Sequence, residues 1–206
     1  MVNIGILISG SGTNLQAIID NINEGNIDGE IKLVISNKKD AYGLVRAEEA
    51  GIETLYLDRK EFSTDEEYNK KIMEEFTKRD VELVVLAGYL RILSKEFVQK
   101  YKNRIINIHP SLIPSFCGEG CYGERVHKMV LDYGAKITGA TVHFVDEGTD
   151  TGPIILQKAV KVEDDDTVES LKEKVLKIEH ELLPEAIKLY CQGRLSVEGR
   201  KVKIID

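Results

Sequence analysis

Short unbroken apolar runs alternate with amphipathic stretches along the first half of the chain. Residues 4–8 form the first run, which stops at Ser9-Gly10-Ser11-Gly12. It predicts a buried strand. Beyond it, Leu15, Ile18, Ile19 and Ile22 fall on one helical face, with Thr13 or Asn14 as the cap. Residues 31–35 are the next strand. A helix capped by Asp40 ends before Gly51, where a left-handed residue belongs. Residues 54–57 give a short strand. Ser63-Thr64-Asp65-Glu66 has the spacing of a capping box and opens a helix to about Lys78. Residues 83–87, rich in Val and Leu, suit a central parallel strand. Ser94 caps a short helix to about Tyr101, and a strand over 105–109 is stopped by Pro110. Runs buried on both faces, with helices between them, predict a doubly wound α/β sheet.

The second half departs from that alternation. A Gly-rich stretch, residues 116–123, precedes a helix over about 124–133. Two strands, 140–145 and 154–162, flank a polar loop at 146–152. Asp166-Thr167-Val168-Glu169 is a second capping arrangement. It opens a long helix with Leu171, Val175, Ile178 and Leu182 among its apolar positions, Pro184 as a kink point and Gly193 as its stop. Residues 202–205 close the chain as a short strand. No linker or repeat interrupts the pattern, so one domain over residues 1–206 is expected.

Charge narrows the ligand classes. Lys and Arg number 28 against 35 Asp and Glu, a formal net charge of −7. An acidic chain with pI near 5.3 lacks the broad basic face that duplex nucleic acid needs, so no nucleic-acid partner is expected. Positive potential for an anionic ligand has to be local. Three cysteines, an odd number, argue against a disulfide framework and for a reducing compartment. The longest apolar run, near residues 83–90, is too short to span a bilayer, and no basic region precedes the N-terminal run. The expectation is a cytoplasmic protein with no membrane partner, as a monomer or homodimer.

Three segments carry candidate chemistry. Gly10-Ser11-Gly12-Thr13-Asn14 follows a strand and opens a helix, where free N–H groups and the helix dipole attract an anion. Leu15 stands where a dinucleotide fingerprint has its third glycine, and no Gly-Lys-Ser/Thr is present, so the choice is between a phosphate site and a plain βα turn. In Asn107-Ile108-His109-Pro110, residues two apart on a strand share a face, which sets a carboxamide beside an imidazole at the carboxyl end of a parallel strand. That pair suits oxyanion stabilisation and proton exchange. A carboxylate from the polar turn at 146–153 can orient His109 and favour its protonated form. Cys117 and Cys121 with His109 and His127 lack the four-ligand set of a structural zinc, so no metal is expected. His143, inside an apolar strand, reads as a core or supporting histidine, and His180 as a surface or interfacial one.

Residues 7–15, 86–93, 107–114 and 141–153, in that order, resemble the folate-dependent phosphoribosylglycinamide formyltransferase family. The similarity runs from about residue 2 to 193. It implies an α/β, single-domain, Rossmann-like fold: a mostly parallel twisted sheet with helices on both faces and an antiparallel C-terminal extension. Residues 1–110 would be the phosphate-binding half and 111–206 the folate-site half. The implied activity moves the formyl group of 10-formyltetrahydrofolate, a co-substrate, to the amine of a phosphoribosylglycinamide in purine synthesis, without a metal. Both substrates are small molecules. Asn107, His109 and Asp150 match the family's catalytic set. Gly12, Thr13 and Asn14 match its substrate-phosphate turn, and Glu179 its substrate-contacting acid. Leu90, Arg91, Ile92 and Leu93 match the folate-lining segment, with Leu86, Asn107 and Val145 as further walls. Where the family often carries a basic residue for the folate's glutamate tail, this chain has Asp65, so that contact does not carry over. The 116–123 segment is more Cys- and Gly-rich than the family pattern and receives no catalytic role.

Two other readings compete: a different formyl-handling enzyme of this fold, and a non-catalytic phosphate-binding module. Relatives of the first kind usually carry an extra domain, for which this chain shows no composition break. The second leaves Asn107, His109 and Asp150 without a use.

Overall fold

A computed structural model describes all 206 residues. Nine strands form one sheet. They are β1 (Val2–Ile8), β2 (Gly29–Ser36), β3 (Thr54–Tyr56), β4 (Leu83–Leu86), β5 (Ile105–His109), β6 (Ile137–Phe144), β7 (Ile154–Lys161), β8 (Leu195–Glu198) and β9 (Lys201–Ile204). The helices are α1 (Thr13–Asn23), α2 (Tyr42–Glu49), α3 (Asp65–Thr77), α4 (Lys95–Lys100), α5 (Glu124–Tyr133) and α6 (Val168–Cys191). Strand order is β3-β2-β1-β4-β5-β6-β7-β9-β8. The strands from β3 to β5 pair parallel, as does β7 with β9, while β6 runs antiparallel to both its neighbours.

The central strands are apolar because both their faces are covered. On one face, Ile4, Ile6, Ile8 and Val85 pack with Leu15, Ile18, Leu44 and Leu183 from α1, α2 and α6. On the other, Leu7, Val84 and Ile105 meet Ile72 and Phe76 of α3 and Phe97 of α4. The chain leaves β1 toward β2 and β3, then returns to β4 on β1's other side. That reversal opens a crevice at the carboxyl ends of β1 and β4, where ligands bind in open α/β sheets.

Several caps differ from the sequence expectation. Neither Thr13 nor Asn14 caps α1; the cap is Gly12, left-handed at φ 74°, with no side-chain bond. Asp40 does not cap α2 either, since Ala41 holds that position. On α3 the cap is Thr64 and not Ser63: Thr64 accepts from the Glu67 N–H, while Glu67 accepts from the N–H of Ser63, one residue before the cap, so the reciprocal box does not close. On α6 the pair is Thr167 with Ser170, not Asp166 with Glu169. On α3 and α6 the reason is shared. Runs of Ser, Thr and Asp offer several adjacent acceptors, and the choice follows where the preceding chain enters the helix. Ser94 caps α4 by accepting from the Phe97 N–H. Pro184 lies within an unbroken α6. Strand β8 has no counterpart in the sequence reading, because it is short and only half-buried, with Leu195 and Val197 alone against the core; it folds back on β9 through Gly199-Arg200.

Gly12 is the tightest point beside the crevice. A Cβ there would lie 2.4 Å from the Gly43 Cα, a backbone atom of α2, and would be strained at its positive φ. Gly12→Ala is therefore expected to destabilise the fold by at least about 2 kcal/mol, read as a lower urea midpoint with an unchanged slope. A midpoint equal to wild type contradicts the packing.

Candidate active site

Three turns end in the crevice. The β1 turn, residues 9–12, leads into α1 without a side-chain cap, so the first N–H groups of that helix are free of protein acceptors. Ser9 ties this turn to the next one: its hydroxyl accepts from the Leu90 N–H (2.9 Å) and donates to Asn37 Oδ1 (2.6 Å). The segment after β4 then passes along the crevice with Leu90 and Ile92 exposed. The third turn follows β5 and carries His109.

Asn107 and His109 share a face of β5, and antiparallel register sets His143 opposite Asn107 and Thr141 opposite His109. His143 is buried. Its Nδ1 lies 2.8 Å from the Phe144 carbonyl, which only accepts, so that nitrogen carries the proton. Its Nε2 then accepts from Asn107 Nδ2 at 3.1 Å and fixes which way the carboxamide faces. Thr141 Oγ1 donates to the Ser111 carbonyl (2.7 Å) and accepts from the Ile113 N–H (3.1 Å), which clamps the turn beyond His109.

The His109 imidazole is 3% exposed. Its Nε2–H donates to the Phe116 carbonyl at 2.9 Å, and its Nδ1 lies 3.5 Å from Asp150 Oδ2. Asp150 also sits 3.8 Å from His143 Nε2 and accepts from the Gly118 N–H at 3.0 Å. Because β6 is antiparallel, the loop after it starts beside Ile105 and Ile106, at the far end of β5. Asp150, left-handed at φ 56°, is where that loop comes back to His109.

Protonation differs from the sequence expectation. Asp150 does favour a charged imidazole, but burial outweighs it, and the His109 pKa lies below the ordinary 6.5. The resting ring is neutral near pH 7. Burial pushes the Asp150 carboxyl up, yet His143, His109 and the Gly118 N–H outweigh that, so its pKa lies below 3.8 and it is ionised. The 116–123 segment also departs from expectation. It lines the crevice, and its Phe116 carbonyl and Gly118 N–H hold the imidazole and the carboxylate directly. Its glycines permit the positive φ of residues 118, 120 and 123. Sequence reasoning missed Ser9 and Thr141; His143, read as a core or supporting histidine, is buried and supports Asn107, a contact that only the strand register reveals.

One cavity of about 490 Å³ unites these parts. Gly12, Thr13, Asn14 and Glu179 line one end. Leu86, Leu90, Arg91, Ile92, Leu93 and Val145 line another, and Asn107, His109 and Asp150 sit on the same wall system. Arg91 is bound by Asp65 (2.7 Å), which also holds Arg59 (2.6 Å). Cys117 Sγ contacts the Pro114 carbonyl, and no three His, Cys, Asp or Glu side chains gather in a metal-holding cluster.

Residues 2–187 match the formyl transferase family. The chain belongs to that family. A formyl transferase relative from Haemophilus influenzae, named phosphoribosylglycinamide formyltransferase, is 41% identical over 198 residues, 96% of this chain and 91% of its own length. The trifunctional purine biosynthetic protein adenosine-3 of Gallus gallus is 46% identical over 199 residues, 95% of this chain. This chain spans only 19% of that larger protein. The crystal structure of glycinamide ribonucleotide transformylase 1 from Symbiobacterium toebii aligns with a TM-score of 0.95 at 48% identity, covering 100% of this chain and 95% of that one. The formyl transferase match takes in all three turns, the 146–152 loop and Glu179.

Glu179 is 6% exposed on α6, and burial raises its pKa to about 7, with the Asn14 side chain opposing the rise. The folded state therefore binds a proton that the unfolded state releases above 4.5. Stability from this group is complete below pH 4.5 and is lost as pH rises through 7. The gap corresponds to roughly 3 kcal/mol. Glu179→Gln is expected to gain stability over wild type between pH 4 and pH 8 by up to about that amount, measured by urea unfolding at each pH. A difference that stays constant across the range rules out the buried acid.

Proposed function

We propose that the chain transfers the formyl group of 10-formyltetrahydrofolate to the amine of 5-phosphoribosylglycinamide, a step of purine biosynthesis. The observation that carries the reading is the meeting of Asn107, His109 and Asp150 in the cavity that also holds the uncapped start of α1. The free N–H groups of Gly12, Thr13 and Asn14 suit the substrate phosphate. Glu179, about half protonated at neutral pH, contacts the same substrate. The apolar walls Leu86, Leu90, Ile92, Leu93 and Val145, with Arg91, take the folate. Residues 1–110 carry the phosphate turn, and residues 111–206 carry the Asp150 loop and Glu179; the folate walls draw on both halves.

The chemistry follows from the protonation states. The amine attacks the formyl carbon, and negative charge collects on the carbonyl oxygen. The Asn107 carboxamide, oriented by His143, donates to that oxygen. The attacking nitrogen sheds a proton as the bond forms. His109 Nδ1 carries none in the resting state and takes it up, and the new imidazolium is paired with Asp150. The imidazolium then protonates the departing folate nitrogen. No side chain needs to form a covalent intermediate: Ser111 is buried and its hydroxyl donates to the Ser115 carbonyl. Three free cysteines, and the lack of any helix long and apolar enough to cross a membrane, accord with a cytoplasmic setting.

A coupled assay with both substrates tests the reading. His109→Ala is expected to lower kcat by between about a hundredfold and ten-thousandfold, and Asn107→Ala by about a hundredfold or more. In the wild type, the acid limb of kcat/KM is expected to inflect below pH 6.5, as the neutral imidazole is lost. Turnover of formylfolate by water alone, with no amine acceptor, points instead to a hydrolase. Ligand binding without any turnover points to a binding module.

A further inference from the structure

No residue of α2 lines the cavity, yet α2 grips the back of the β1 turn. The Gly43 N–H donates to the Gly10 carbonyl at 3.1 Å. Arg46 Nε–H donates to the next carbonyl, that of Ser11, at 2.8 Å. The guanidinium is steadied from two sides, with Nη1 3.5 Å from Gln16 Oε1 and the group 5.0 Å from the centre of the Tyr42 ring. The approach of α2 is close: a Cβ on Gly43 would meet the Ile8 side chain at 2.5 Å and the Gly12 Cα of the turn at 3.1 Å.

In a planar trans peptide the C=O and the N–H point in opposite directions. Holding the Gly10 and Ser11 carbonyls toward α2 turns the Ser11 and Gly12 N–H groups away from it. Those two N–H groups, with those of Thr13 and Asn14, have no acceptor within the protein. The residues that bear them line the cavity. Among the cavity's lining residues the single Lys or Arg is Arg91, whose charge is met by Asp65. The turn itself supplies dipoles and no full charge.

We propose that Arg46 is a positioning residue for the substrate phosphate. It locks the Ser11–Gly12 peptide so that its N–H faces the anion, and it places a full positive charge directly behind the turn. The proposal rests on the phosphorylated substrate assigned above. A guanidinium suits the role because its Nε–H has a fixed direction, whereas a lysine ammonium keeps the charge without that direction. The field also reaches α6: beside Glu179, the half-buried His180 has a depressed pKa, from burial first and Arg46 second.

Steady-state kinetics of Arg46→Gln and Arg46→Lys, with the phosphorylated glycinamide and with its 5′-hydroxyl counterpart, test this. Arg46→Gln is expected to raise KM for the phosphorylated substrate about tenfold, with kcat within about twofold and KM for the formylfolate unmoved. Its kcat/KM for the hydroxyl counterpart stays at the wild-type value. Arg46→Lys is expected to recover part of the loss. Equal losses on both substrates, or an unmoved KM, overturn the assignment. Inorganic phosphate gives a second readout that needs no turnover: the rise it produces in wild-type Tm is expected to shrink in Arg46→Gln, and an undiminished rise overturns the proposal. If the wild type turns over neither glycinamide, the activity reading fails while the phosphate readout still decides the role of Arg46.

Discussion

A buried imidazole needs each nitrogen placed against a specific group, and His109 takes those placements from three separate parts of the chain. β5 delivers the ring, the Phe116 carbonyl takes its Nε2–H, and the Asp150 carboxylate faces Nδ1. The Nε2–H is satisfied, while Nδ1, bare at rest and facing an ionised carboxylate that cannot donate to it, lacks a hydrogen-bond partner until it takes up a proton, a shortfall of about 1–3 kcal/mol. The surrounding loops are organised around that constraint. Phe116 and Asp150 are both non-glycine residues at positive φ, a conformation that costs on the order of 1–3 kcal/mol each and persists only where neighbours enforce it. The bond from the Gly118 N–H to Asp150 ties the two strained turns together.

The same arrangement sets the chemistry. Burial removes the resting charge from His109, and the nearby carboxylate keeps that charge within reach once a proton arrives. A permanently protonated ring could not act as a base, and a ring without Asp150 would hold a new proton poorly in so dry a place. His143 contributes through its tautomer. With Nδ1–H committed to the Phe144 carbonyl, Nε2 accepts only, and the carboxamide of Asn107 keeps its donor on a defined side.

At the far end of the cavity the electrostatics are of another kind. The start of α1 offers N–H groups and a dipole, with Gly12 as a cap that contributes no side chain. Helix α2 reaches this turn through Gly43 and Arg46 alone, from behind. One cavity therefore joins an anion-favouring end to a proton-handling centre, with an apolar wall between Leu86 and Leu93 alongside.

The alternation of strand and helix up to Pro110 was legible in the chain because a run buried on both faces is apolar throughout, whatever its neighbours. The pairing of Asn107 with His109 was legible too, since a period of two needs no tertiary information. Asp150 was reached only through family resemblance. Cap positions slipped by a residue where several Ser, Thr or Asp residues adjoin, and β8 escaped because two alternating apolar positions, Leu195 and Val197, are too short a pattern to stand out. Strand order, the antiparallel turn of β6 and the return of the 146–152 loop were decided in three dimensions, by which surfaces could be buried together. From them follow the contact of His143 with Asn107, the involvement of Phe116 and Gly118, and the neutral state of His109. Each depends on what lies across space from a side chain, and local sequence holds no record of that.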